Sequence, residues 1–261
     1  MAGVSAAEAV TPRELMACLL AERLRDGETM IVGGASQVPM AAGLLAQHRH
    51  APDLTLLTGS GAVNPRPLAL PPSGGDHEYV RTAEAYFTME DVFDDTERGR
   101  YDVAIFGGIQ VDAFGNFNLT RIGAPGEPPK LRGPGFVNAG IATGAGRFML
   151  LVEHHSPRIL VERVDFASGA GARRPDGSAY PEGRRGAGPD HLVSPLACLR
   201  IGTAGRFEVS SLHPGVDPVD LREKTGFELD VPDDPPRTEP PDAETIALLR
   251  GAVDPTGELR R

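Results

Sequence analysis

Apolar residues fall in short blocks along the chain, and the spacing inside each block predicts its element. Leu15, Met16, Leu19, Leu20 and Leu24 recur at helical spacing. They follow Thr11-Pro12-Arg13-Glu14, which offers a Thr cap, a Pro at the first helical position and a Glu three residues after the cap. This predicts a helix that closes at Asp26-Gly27. Thr29 to Val32 and Leu54 to Thr58 read as short buried strands and Val103 to Phe106 as a continuous apolar run, each followed directly by glycine. Such runs suit strands of a parallel sheet buried on both faces. Their exits are Gly33-Gly34-Ala35, Gly59-Ser60-Gly61 and Gly107-Gly108. An Ala- and Leu-rich helix is predicted over Pro39 to Gln47, and an acidic one over Tyr86 to Arg98.

The second half is less regular. Asn64 to Gly75 is Pro-rich, and Gly123 to Gly140 reads as a long loop. Phe148 to Val152 and Arg158 to Phe166 read as strands, the latter opened by Pro157. Ala167 to Asp190 is a glycine-rich excursion carrying Arg173, Arg174, Arg184 and Arg185. Ala197 to Ile201 and Arg206 to Ser211 predict a hairpin around Gly202-Thr203-Ala204-Gly205. Val231 to Pro241 is an extended acidic spacer, and Asp242 caps a last helix from Ala243 to Arg250 that Gly251 closes. Strands alternating with helices predict an α/β fold with an open, mainly parallel sheet. The expected organisation is one domain over 1–231, with a spacer and a C-terminal helix over 232–261 packed on it.

Composition narrows the partners. The 261 residues carry a net charge of −10, which argues against nucleic acid or an anionic membrane surface as a partner. No apolar run approaches the roughly 20 residues of a membrane span. No basic segment followed by an apolar one opens the chain, so a cytoplasmic location is expected. Cys18 and Cys198 are the only cysteines and sit in apolar segments, as in a reduced compartment.

Candidate chemistry concentrates between Val103 and Gly123. A buried strand ends there in glycines and is followed by Gln110, Asp112, Asn116 and Asn118. Ligands of open α/β sheets bind outside the carboxyl ends of strands, where amides can donate and accept hydrogen bonds. The alternative is a polar hairpin turning at Asp112-Ala113-Phe114-Gly115-Asn116. Elsewhere the signals are weaker. His154 and His155, if on a strand, point to opposite faces, and no Cys/His spacing suits a metal. Gly133, Gly135 and Gly140 miss the dinucleotide spacing, and Gly59-Ser60-Gly61 fits neither a phosphate loop nor a hydrolase nucleophile elbow. The arginines of the 167–190 excursion read as solvated surface or as a phosphate clamp.

Gly107 to Gly123, reading GGIQVDAFGNFNLTRIG, closely resembles the GGAQID-x-x-GN-x-N motif in the B subunit of glutaconate CoA-transferase, a family I CoA-transferase. His50-Ala51-Pro52-Asp53, Gly140-Ile141-Ala142-Thr143, Thr225 to Val231 and Asp254-Pro255 also match in order. The resemblance implies a three-layer α/β/α fold and a heteromer (αβ or α2β2) with a homologous A subunit. It implies an acyl-CoA thioester as substrate and no permanently bound cofactor. In that family a glutamate before Ser-Gly attacks the thioester. Here Gly59 occupies that place, before Ser60-Gly61. A branch without the glutamate includes the heteromeric steroid ring-opening hydrolases, and Val161 to Gly169 and Ser211 to Val216 resemble their B subunit. The resemblance therefore points to hydrolytic or C–C-cleaving chemistry. A CoA-transferase with its acid on the A subunit and a non-catalytic stabilising subunit are the alternatives. Gln110 and Asn116 are the catalytic candidates. Gly59, Ser60, Gly61, Gly107, Gly108, Asp112, Asn118, Gly133, Gly135, Asn138 and Gly140 are the substrate-binding ones.

Overall fold

The structure is a computed structural model that describes residues 9–34, 37–135, 139–181 and 185–261. Its strands are β1 (Thr29–Val32), β2 (Thr55–Thr58), β3 (Ala62–Val63), β4 (Ala85–Tyr86), β5 (Val103–Gly107), β6 (Gln110–Val111), β7 (Phe117–Asn118), β8 (Arg121–Ile122), β9 (Leu131–Arg132), β10 (Arg147–Leu151), β11 (Pro189–Val193), β12 (Ala197–Ile201) and β13 (Phe207–Leu212). The α-helices are α1 (Pro12–Ala21), α2 (Gln37–Arg49), α3 (His77–Arg81), α4 (Met89–Arg98), α5 (Ile141–Gly144), α6 (Pro218–Lys224) and α7 (Ala243–Leu248).

Nine strands form one sheet in the order β13-β12-β11-β10-β5-β1-β2-β3-β4. The five from β11 to β2 run parallel, and the two at each edge are antiparallel. Alternation along the parallel strands feeds two cores. Met30, Val32, Val103, Ile105, Met149 and Leu151 face α1, α2 and the C-terminal segment. Ile31, Ala104, Phe106, Phe148 and Leu150 face the other side. That second layer combines α4, α5 and α6, through Val92, Ile141, Ala142 and Leu221, with a folded-back hairpin, β6–β7, anchored by a ring cluster. The centroids of Phe106, Phe117 and Phe148 lie 5.0, 5.5 and 5.7 Å apart.

The capping box at Thr11 and Glu14 forms as the sequence predicts. The helix stops at Ala21, however, well before Gly27. Arg23 N–H and Leu24 N–H turn back to the Leu20 and Ala21 carbonyls, so Leu24 is buried by a tight turn outside the helix. Tyr86 belongs to the edge strand β4, and the acidic helix starts at Met89 behind a Thr88 cap. Arg158 to Phe166 is not a strand. Leu160 and Val161 make single bridges to Val111 and Gly226, and burial of Leu160 accounts for the apolar pattern there. The fifth parallel strand is instead β11, which begins at the end of the glycine-rich excursion. The C-terminal helix runs through Gly251 as a π-helical turn over Leu249–Val253, which carries Leu249 and Val253 into the first core. Among the described residues, no helix is long and apolar enough to cross a membrane.

Candidate functional site

Parallel strands bring their carboxyl ends to one edge, and here three adjacent ends finish in glycine. Val32 pairs with Thr58 on one side and with Ile105 on the other, so the exits at Gly33-Gly34, Gly59 and Gly107 follow side by side. All four glycines are exposed. The result is a floor of bare backbone. The Pro-rich segment folds over one side of it, with Gly74 N–H and the Ser73 hydroxyl both donating to the Gly34 carbonyl. Gly61 turns the chain from β2 into β3 at φ +86°, and its carbonyl accepts the N–H of Phe87 at 2.9 Å. A Cβ at Gly61 would lie 2.5 Å from the Phe87 carbonyl oxygen, so this turn admits glycine alone.

Gly107-Gly108 then reverses the chain, and β6–β7 lies back across the sheet. This separates the four polar side chains expected together. Gln110 and Asn118 pair at the hairpin base, near the strand ends. Gln110 Oε1 accepts from Asn118 Nδ2 at 2.8 Å and from Asp165 N–H at 3.0 Å. Asn118 Oδ1 accepts the N–H groups of Thr120 and Arg121 at 2.9 and 3.2 Å. Asp112 and Asn116 sit at the tip, where Gly115 packs on Pro189 and Phe207, at the opposite end of the parallel strands. The turn is stapled from within. The Asp112 carboxylate accepts Phe114 N–H and Asn116 N–H, both at 3.0 Å, and Asn116 Nδ2 at 2.8 Å. Burial raises the Asp112 pKa to about 6, against the opposing pull of those donors and of Arg206. Asn116 Oδ1 accepts Gly171 N–H at 2.8 Å and the Tyr180 hydroxyl at 2.6 Å, and its Nδ2 also donates to the Arg173 carbonyl at 2.8 Å.

The glycine-rich excursion is thus bolted to the hairpin tip by Asn116. Arg173 is committed to the Ala204 carbonyl at 3.0 Å, and Arg174 lies over the Tyr180 ring at 5.8 Å. Arg184 lies outside the described residues and Arg185 is exposed. Gly133 and Gly135 run along the hairpin exit, their N–H groups donating to Thr120 and Leu119 carbonyls at 2.9 and 2.8 Å. Gly140 caps the short helix α5 through its carbonyl. Asn138 lies outside the described residues.

Two histidines that the sequence leaves unremarkable form a buried polar network. His155 is not on a strand; its ring nitrogens meet Ser194 Oγ at 2.8 Å and Thr225 Oγ1 at 3.0 Å. His213 meets Thr238 Oγ1 at 2.8 Å and donates to the Ser194 carbonyl at 2.9 Å. Burial pushes both down to about 4. The network joins the loops after β10 and β11 to β13 and α6. Only a pattern of paired hydroxyls and histidines across distant segments could have signalled it, and one sequence does not show pairing.

The profile of the Coenzyme A transferase family matches residues 13–179, more than half of the chain. The chain belongs to this family. The B subunit of the 3-oxoadipate CoA-transferase of Pseudomonas knackmussii is 32% identical over 93% of this chain and 93% of its own length. The cholesterol ring-cleaving hydrolase IpdB subunit of Mycobacterium tuberculosis is 29% identical over 94% of this chain and 95% of its own. Among solved structures, the decarboxylase AibA/AibB superposes with a TM-score of 0.83 at 33% identity, covering 97% of this chain and 98% of that one. The family resemblance read from Gly107 to Gly123 is borne out, and so is the α/β fold. The activities these relatives are named for differ, so membership alone does not choose among them.

Proposed function

We propose that this chain is the B subunit of a heteromeric enzyme that acts on acyl-CoA thioesters without a glutamyl-CoA intermediate. A single observation carries the reading: Gly59, at the nucleophile position of the family motif, has no side chain and lies exposed at the carboxyl end of β2. A backbone cannot attack a thioester, so water or a group of the partner A subunit takes that part. The chemistry this favours is hydrolytic or C–C-cleaving, in line with the activities for which the IpdB and AibA/AibB relatives are named. The floor of Gly33, Gly34, Gly59 and Gly107 lets a thioester approach the backbone closely. Gln110, whose Nε2 has no acceptor among the described residues, is the amide of the hairpin best able to donate to substrate. Asn116, with both polar atoms occupied, serves by holding the hairpin and its covering loop in place. The enzyme works as an αβ or α2β2 assembly, with the CoA thioester as substrate and no resident cofactor.

The trapping experiment is direct. The complex with its A subunit is incubated with an acyl-CoA and treated with hydroxylamine or borohydride. Product forms with no adduct on this chain; a trapped carboxylate of this chain overturns the reading. The 32% identity to a CoA-transferase B chain favours a second reading, CoA transfer with the acid on the A subunit. CoA exchange into a free acid, without net hydrolysis, would select it.

A further inference from the structure

Thr58, the last residue of β2, is wholly buried. Its Oγ1 accepts the N–H of Ala62 at 3.2 Å. The hydroxyl has its own hydrogen to place, and the one acceptor for it among the described residues is Ser60 Oγ, at 2.7 Å. A buried hydroxyl donor left without an acceptor costs about 1–3 kcal/mol. The proton inventory therefore sets the direction of this bond: Thr58 donates and Ser60 accepts. Ser60 is only half-buried, and its own hydrogen is left pointing away from Thr58. It stands next to Gly59, over a floor that contributes no side chain. A hydroxyl that already accepts one hydrogen bond is a stronger donor of its own.

We propose that Ser60 is the hydrogen-bond donor this chain gives to the thioester carbonyl oxygen, oriented for that role by Thr58. The proposal rests on the reading of the glycine floor as an acyl-CoA site. It names a specificity element: the site distinguishes ligands that carry an oxygen at this point from those that do not. Ser60 touches substrate directly, whereas Thr58 acts through it as a positioning residue.

The test measures binding by the A–B complex of three probes: CoA, S-ethyl-CoA (which lacks the carbonyl) and a carba analogue of acetyl-CoA with a ketone in place of the thioester. The wild-type complex prefers the ketone over the thioether by about fivefold, the worth of one neutral hydrogen bond. Ser60→Ala abolishes that preference and leaves CoA affinity unchanged, while Ser60→Thr keeps it. Thr58→Val, which removes the orienting donor from beneath the floor, gives an intermediate preference and supplies the answer if Ser60→Ala does not fold. A ketone preference that survives in Ser60→Ala, or its absence from the wild type, overturns the role of Ser60. Failure of the wild-type complex to bind CoA at all overturns the acyl-CoA reading itself.

Discussion

A Cβ built on Gly59 would meet nothing closer than 3.4 Å, the carbonyl carbon of Gly33 and the amide nitrogen of Gly34. Gly59 also lies outside the positive-φ region that favours glycine. The backbone thus permits a side chain where the sequence supplies none, in contrast to Gly61 two residues on. Gly59→Glu should therefore fold, with a melting temperature within a few degrees of wild type. In complex with the A subunit it should also acquire a hydroxylamine-sensitive CoA adduct that wild type lacks. Mass spectrometry of the borohydride-treated chain reads this out. Gly61→Ala should instead lose on the order of 1–3 kcal/mol in urea unfolding, since φ +86° and the Phe87 carbonyl both oppose it. At the hairpin tip the stakes are of another kind. Asn116→Ala removes a donor from the buried Asp112 carboxylate and deletes the oxygen that accepts Gly171 N–H and the Tyr180 hydroxyl. A loss of about 2–4 kcal/mol is expected, together with faster proteolysis within residues 167–181.

Among the elements, the parallel strands β1, β2 and β5 were legible because each is a mainly apolar run cut off by glycine, a pattern that reports burial on both faces. The direction taken after Gly107-Gly108 was not legible. A period of two names the faces of a hairpin but not whether it points into solvent or back over the sheet, and the Phe117 cluster decides that through contacts with Phe106 and Phe148. The strand β11 was hidden because Pro189-Asp190-His191 carries no apolar run. Apolar Leu160 suggested a strand where one bridge suffices. The vacancy at Gly59 was legible through the family motif alone, and the Thr58–Ser60 bond through the structure alone. The histidine network makes an element-scale prediction. His155 is depressed to about 4 by burial and then by Lys224 and His213. His213 is depressed to about 4 by burial and by Arg23, against the pull of its bond to Ser194. A histidine with a lowered folded pKa binds its proton more tightly in the unfolded chain. Its stability contribution is complete above about 6.5 and is lost as pH falls through 4. Asp112, raised to about 6, works the other way, favouring the fold toward the acid end of the same window. Two histidines outweigh one carboxylate, so urea midpoints should rise from pH 4.5 to 7. His213→Asn should flatten that rise.

For the whole molecule, the two ends of the chain close one core. Leu249, Val253 and Leu259 are buried at 0%, 2% and 1% exposure in the same cluster as Met16 and Leu20 of α1. The Thr11 hydroxyl donates to the Leu259 carbonyl at 2.9 Å. Arg250 grips the buried Glu14 carboxylate through Nε at 2.7 Å and Nη2 at 2.9 Å. Burial alone would raise the Glu14 pKa, but the Arg250 and Thr11 bonds more than offset it and hold it below the usual range. The last thirty residues, read in the sequence as a spacer and a helix packed on the domain, add Leu249, Val253 and Leu259 to its first core. Three fully buried aliphatic side chains contribute roughly 1.5–3 kcal/mol each. Breaking a buried ion pair by removing one partner costs about 3–5 kcal/mol. Together these rival the roughly 5–15 kcal/mol by which whole domains are stable. A chain ending at residue 241 should accordingly show no cooperative urea transition and should not assemble with the A subunit. Arg250→Ala should fold with a lower midpoint. Its deficit should shrink as pH falls into the carboxylate range, because a protonated Glu14 no longer needs its partner. A truncated chain that unfolds cooperatively near the wild-type midpoint would show instead that residues 1–241 fold without the tail.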